Sequence, residues 1–153
     1  MAIGNTTFLS ETILFIRDRL RARITDPIAT ARVAAGEKFV MTSYPRELVQ
    51  YPLITVKGDN ATVNPLGQNS ETSIIQLTIE VRIWGRNEKE KNTLADAVIT
   101  YLQHNQIPSS TANTSQNVEL YDFKILSATE VDDPGEEGIK SRILTIEYKF
   151  IAT

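Results

Sequence analysis

The sequence predicts an α+β fold: two helices packed on one face of a mostly antiparallel sheet that contains a long β-hairpin. Three observations carry the prediction. Ile75, Leu77, Ile79, Val81 and Ile83 alternate strictly with Gln76, Thr78, Glu80, Arg82 and Trp84, the period of a strand with one buried face. Apolar residues recur at helical spacing both before and after that strand. The last third of the chain reads as two strands about a Pro-Gly turn. The order helix, strands, helix, strands places the helices together on one side of the sheet.

The first helix is expected from Thr7 to about Ile24, with Leu9, Ile13, Ile16, Leu20 and Ile24 on one face and Asp26-Pro27 ending it. Arg17, Arg19, Arg21 and Arg23 crowd its last two turns, where cations complement the exposed carbonyls. They serve either as a solvated helix end or as a contact for an acidic neighbour or nucleic-acid phosphate. The next stretch, to Pro52, lacks sustained periodicity. It contains an expected strand at Phe39 to Thr42 and the pairs Tyr44-Pro45 and Tyr51-Pro52, in which each proline pushes the preceding tyrosine toward extended backbone.

A strand is expected from Leu53 to Lys57, closed by Gly58-Asp59-Asn60. The polar stretch Asp59 to Ser70 then forms a loop or the tip of a long hairpin. The alternating strand follows and Gly85 stops it. Asn87 with Glu90 three residues on has the form of an N-cap and capping box. Leu94, Ala97, Val98, Tyr101 and Leu102 mark the inner face of the second helix, which ends near Asn105 with Pro108 beyond. Ser109 to Asn117 holds only small or polar residues and is expected as a surface loop. The closing strands are Val118 to Thr129 and Ile139 to Ile151, joined by the turn between Val131 and Gly138.

Composition removes most chemistry. In 153 residues there is no Cys and one His, which excludes thiolate clusters, Cys nucleophiles and His-rich zinc sites. The one imidazole, His104, falls at the C-terminal end of the second helix, where a cation-capable residue is ordinary. No Gly-x-Ser-x-Gly elbow or phosphate-cradling glycine motif is present. Asp132, Asp133, Glu136 and Glu137 lack the alternating spacing that wraps a chain around calcium. No enzyme activity, cofactor or metal is therefore expected. No apolar run reaches the length of a membrane span, and MAIGNTTFLSET lacks the pattern of a signal peptide. The Asn-x-Ser/Thr triplets at Asn5, Asn60 and Asn113 are accordingly expected to be polar surface.

Charge is divided along the chain. Residues 1–58 carry eight Lys or Arg against five Asp or Glu, whereas residues 59–153 carry eight against fourteen. Between Glu130 and Glu137 there are five acids and no base. Separated basic and acidic patches suit head-to-tail contact between copies. Trp84, with Ile74 and Ile143, lies on the nominally polar side of its strand. Either a second layer covers it, or it anchors a protein interface.

The order of elements and the stretch Thr42-Ser43-Tyr44-Pro45-Arg46-Glu47-Leu48-Val49-Gln50-Tyr51-Pro52-Leu53-Ile54-Thr55-Val56 resemble the tail terminator proteins of long-tailed bacterial and archaeal viruses. The resemblance covers roughly Phe8 to Ile151 and treats residues 1–153 as one domain. It implies a virion structural protein whose copies form a ring, usually hexameric, on the head-proximal end of the tail tube. Such a ring ends tube polymerisation and joins tail to head. Implied partners are the chain itself, the tail tube protein and a head-completion or neck protein, with genome DNA passing through unbound and no membrane involved. Candidate interface residues are Arg17, Arg19, Arg21, Arg23, Tyr44, Arg46, Tyr51, Trp84, Asp132, Asp133, Glu136 and Glu137. The arginines are read as facing neighbours, because a lumen that bound DNA tightly would slow its passage. Other neck proteins look similar, and a non-catalytic ligand-binding module or a hydrolase built on His104 are the alternatives.

Overall fold

The computed structural model describes residues 8–44, 50–68, 72–105, 121–131 and 139–152. Within them the chain runs α1 (Phe8–Arg23), α2 (Ala29–Ala34), β1 (Val40–Met41), β2 (Leu53–Pro65), β3 (Ser73–Gly85), α3 (Glu88–Asn105), β4 (Tyr121–Val131) and β5 (Lys140–Ala152). The strands form one sheet in the order β1-β2-β3-β5-β4. β1 joins β2 in parallel, and every other pairing is antiparallel. The α+β expectation is met, with α2 as a third helix that the periodicity did not announce.

The inner row of β3 carries the core. Ile75, Leu77, Ile79, Val81 and Ile83 are all buried, as the alternation requires. Register then places Ile54 and Val56 of β2 beside Ile83 and Val81. On the other side Leu144, Ile146 and Tyr148 of β5 lie beside Val81, Ile79 and Leu77. α1 covers β1 and β2 on this side, while α3 covers β3, β5 and β4. Burial of such side chains stabilises by roughly 1.5–3 kcal/mol each.

The hairpin is longer than a strand closed at Gly58 would make it. β2 continues through Asp59 and Asn60 to Pro65, and a register shift between Gly58 and Asn60 absorbs the extra residue. The backbone of β3 is available opposite it all the way to Ser73, so a bulge satisfies more donors and acceptors than a loop would. Gly58 also lets α1 approach, since a Cβ there would meet Ile13 Cδ1 at 3.1 Å. Gly85 is tighter still: a Cβ would lie 2.7 Å from the backbone nitrogen of Lys91, and that separation is available only to glycine.

Two helix faces are corrected. In α1, Thr12, Phe15, Ile16 and Leu20 are buried, as is Ile24 just past it, but Leu9 is 49% exposed, because the first turn overhangs the bulged half of β2. In α3 the buried line is Lys91, Leu94, Ala95, Val98 and Leu102, with Tyr101 half-buried and Ala97 exposed. The helix is turned so that Ala95 faces the sheet, leaving Ala97 on the flank toward α1. The expected strand at Phe39 to Thr42 contracts to Val40 and Met41. The loop expected at Ser109 to Asn117 and the turn at residues 132–138 lie outside the described residues.

Candidate interaction surface

The outer face of the sheet ends in an aromatic cluster built by the segment before β2. α2 starts it. Asp26 Oδ1 accepts the Ile28 N–H at 3.0 Å, and the helix closes two turns later at Gly36, whose φ of 73° suits a residue without Cβ. Arg32 in this helix is 2% exposed. Its Nε donates to Asp26 Oδ2 at 2.7 Å and its Nη2 to Asp26 Oδ1 at 3.2 Å. Nη1 donates to the Gln50 carbonyl at 3.0 Å, and Nη2 also reaches the Pro52 carbonyl. The guanidinium lies 5.2 Å from the centre of the Phe39 ring. One buried side chain thus ties α2 to the chain entering β2, and a planar fork of donors suits it to that task.

That brace holds the backbone on both sides of Tyr51, and Tyr44 and Tyr51 meet Trp84. The Tyr44 and Tyr51 ring centres are 4.9 Å and 6.5 Å from that of Trp84, and both rings are tilted. Their hydroxyls are hydrogen-bonded to each other. Arg82 also stacks on this ring, its Cζ 3.9 Å from the Trp84 ring centre, and donates to Ser141 Oγ at 3.1 Å from Nη2. Cation–π contact and tilted ring pairs hold such a cluster by about 0.5–1.5 kcal/mol per contact. Trp84 is 7% exposed and Tyr44 40%, so the tryptophan is covered by its own chain while the tyrosine faces outward. Of the two readings of Trp84, a covering layer is what this fold supplies. Trp84 Nε1 is buried with no hydrogen-bond partner among the described residues.

An ionic cluster lies at the same end of the sheet, on its inner side. Lys91, 2% exposed at its side chain, pairs with Glu88 at 2.7 Å and Glu130 at 2.6 Å. Arg142 also reaches Glu130, at 2.8 Å. Burial pulls the Lys91 ammonium down, but hydrogen bonds to Glu130 and Glu88 outweigh it and hold its pKa above the ordinary lysine value. The hydrogen bond from Lys91, followed by that from Arg142, holds Glu130 below the usual carboxylate range. The expected capping box is half realised. Asn87 Oδ1 accepts the Glu90 N–H at 2.9 Å, yet Glu90 Oε1 turns back to the N–H of Arg86 rather than to that of Asn87. The Arg86 side chain grips Glu90 as well, at 2.5 Å, and this hydrogen bond keeps the Glu90 pKa low against the opposing effect of burial.

The four helix arginines do not form one patch. Arg17 pairs with Asp18 at 2.7 Å, and Arg19 lies over the Phe15 ring at 5.5 Å. Arg21 Nε donates to the Val40 carbonyl at 2.7 Å, and burial together with the nearby charge of Arg17 lowers its pKa. Arg23 is exposed and borders a groove of about 970 Å³ between α1 and α3, which Leu94, Ala97 and Tyr101 also line. Arg46, Asp132, Asp133, Glu136 and Glu137 lie outside the described residues, as does the side chain of His104. Among the described residues no group of three or more Cys, His or acidic side chains is placed to hold a metal. No described helix is long and apolar enough to cross a membrane.

Sequence reasoning singled out Tyr44, Tyr51 and Trp84 as candidate interface residues, and the fold brings the three together. It missed Arg32, Arg82 and Lys91. For Arg32 a signal existed in the spacing of Asp26-Pro27, Arg32 and Gly36, which is a short helix with a cap residue, a basic last turn and a terminating glycine.

No family model and no curated protein sequence matches this chain. Among solved structures it is similar to a chain of a particle described as "Virion of native gene transfer agent (GTA) particle", at 11% identity and a TM-score of 0.56. The match covers 92% of this chain and 96% of that one. At this identity the likeness is one of fold, and it extends over nearly the whole of both chains.

Proposed function

We propose that this chain is a virion structural protein of a tailed, phage-like particle, working by assembly rather than catalysis. Within that class we propose the tail terminator role: a homo-oligomeric ring at the head-proximal end of the tail tube that stops tube growth and joins the tail to the head. The observation that carries the reading is the end-to-end fold likeness to a chain of a gene transfer agent virion. The Thr42 to Val56 stretch supports the finer role, because its tyrosines are held at a defined place on the outer face, with Tyr44 exposed. Aromatic residues in such settings are favoured as contact anchors.

The test is assembly itself. Full-length protein is added to polymerising tail-tube subunits and the products are examined by electron microscopy. Short tubes with a ring at one end are expected, with mean length falling as the added protein rises. Unchanged tube length and no ring at either end would overturn the terminator role. A ring that binds only the head-side connector would reassign the chain to a neighbouring neck position within the same class.

A further inference from the structure

Among the described residues the sheet has two open lateral edges, and they match each other. Among the described residues β1 pairs only with Ile54 and Thr55 of β2, leaving the outer edge of β2 from Val56 to Pro65 without a strand partner. On the far side β4 is the terminal strand, and residues 126–130 along it are exposed, Leu126 to 51%. We propose that β4 of one copy adds to the free edge of β2 in the next copy, so that the sheet continues from subunit to subunit. This deepens the ring reading above and rests on it.

Direction, level and charge all favour a second copy as the occupant. Because β2, β3, β5 and β4 alternate in direction, β4 runs opposite to the β2 of a neighbour set beside it. The new pair is therefore antiparallel, and the helices of both copies stay on one side of the sheet. The register carries Val56 through Val81 and Leu144 to Ala128, and Thr62 through Gln76 and Lys149 to Tyr121. The free stretch of β2 and most of β4 thus lie at one height. Arg21, near the end of α1, is exposed and bonds the Val40 carbonyl on the β1 flank. On the other flank, at the same end of the sheet, the exposed Glu130 stands near the end of β4. A head-to-tail junction sets these opposite charges beside each other, and such a heterologous contact closes into a ring when the rotation allows. A two-fold pairing of β4 with itself keeps Arg21 of each copy away from Glu130 of the other.

The native chain has no cysteine, which makes crosslinking a clean test. Register carries Lys57 through Glu80 and Thr145 to Ser127, so these two positions meet across the proposed junction. The full-length double variant Lys57→Cys/Ser127→Cys, treated with a short bis-maleimide, is expected to give a ladder of covalent oligomers ending at the ring order. A mixture of the two single variants should stop at dimers, and neither single variant alone should crosslink. Melting of each variant within a few degrees of the native protein establishes that the fold is intact. Rings seen by electron microscopy without the ladder would overturn the edge junction while leaving the ring reading standing. Crosslinking of Ser127→Cys alone would overturn it in favour of the two-fold pair. Absence of both ladder and ring would overturn the two readings together.

Discussion

The two halves of β2 pair with the same neighbour yet live in different surroundings. In the near half, Leu53, Ile54 and Val56 are fully buried, under α1 on one side and against the segment braced by Arg32 on the other. In the far half, residues 57–60 and 62–65 are exposed, and even Val63 on the inner side is 53% exposed. Both halves pair with β3, interrupted at the bulge between Gly58 and Asn60. The difference teaches that pairing sets the course of a strand, whereas stability comes from the layers laid over it. The near half is the anchored part of the hairpin, and the far half is exposed surface.

Substitutions that break the near half should have the largest effects. Arg32→Ala removes one member of a buried ion pair and strands Asp26 and two carbonyls, so a loss of about 3–5 kcal/mol is expected, read as a fall in denaturant midpoint. Because Trp84 is the one tryptophan, its fluorescence should shift to the red in the same variant as Tyr44 and Tyr51 loosen. An unchanged emission maximum would mean that Arg32 does not hold the aromatic cluster. Ile54→Ala should cost about 2–5 kcal/mol, and at about 2–4 °C per kcal/mol for a chain of this size the melting temperature reports it directly.

Smaller changes sharpen the contrast. Asn87→Ala removes the cap of α3 and should cost about 1 kcal/mol, with Asn87→Gly costing only a few tenths. Glu90 has its pKa held low by the Arg86 hydrogen bond, so its contribution is fully present above the unfolded-state value and is lost as pH falls through the depressed folded value. The stability gap between native protein and Glu90→Gln should therefore be constant near neutrality and close on acidification. A gap that widened with acid would refute the assignment. Val63→Thr in the far half should change stability by no more than about 0.5 kcal/mol, in contrast to Ile54→Ala one hairpin half away.

Much of this architecture was legible from residue order, and the failures have particular causes. The β3 alternation announced its buried face because a period of two leaves no other solution. The cap at Asn87 was visible because it is local. α2 escaped because six residues are too few to display a helical period. The choice of Ala95 over Ala97 escaped because alanine on either flank satisfies the same pattern, and only the sheet below decides how α3 is turned. Gly58-Asp59-Asn60 read as a stop because turn residues also build bulges, and β3 lies opposite them only once the hairpin has formed. At the candidate surface, Tyr44, Tyr51 and Trp84 stood out by type and by the prolines beside two of them. Lys91 did not, and the spacing that marks a short helix around Arg32 does not announce its burial, since nothing local distinguishes a buried cation from a solvated one.

By itself the sequence determined the class of fold, the long hairpin, the poverty of reactive groups and the uneven charge, because these follow from periodicity and composition along the chain. The tertiary structure alone decided that Trp84 is covered by Tyr44, Tyr51 and Arg82, that Arg32 and Lys91 are buried and paired with acidic side chains, and that, among the described residues, β2 and β4 carry the open edges of the sheet. These are relations between residues far apart in the chain, and what fixes them is which layer lies over which strand.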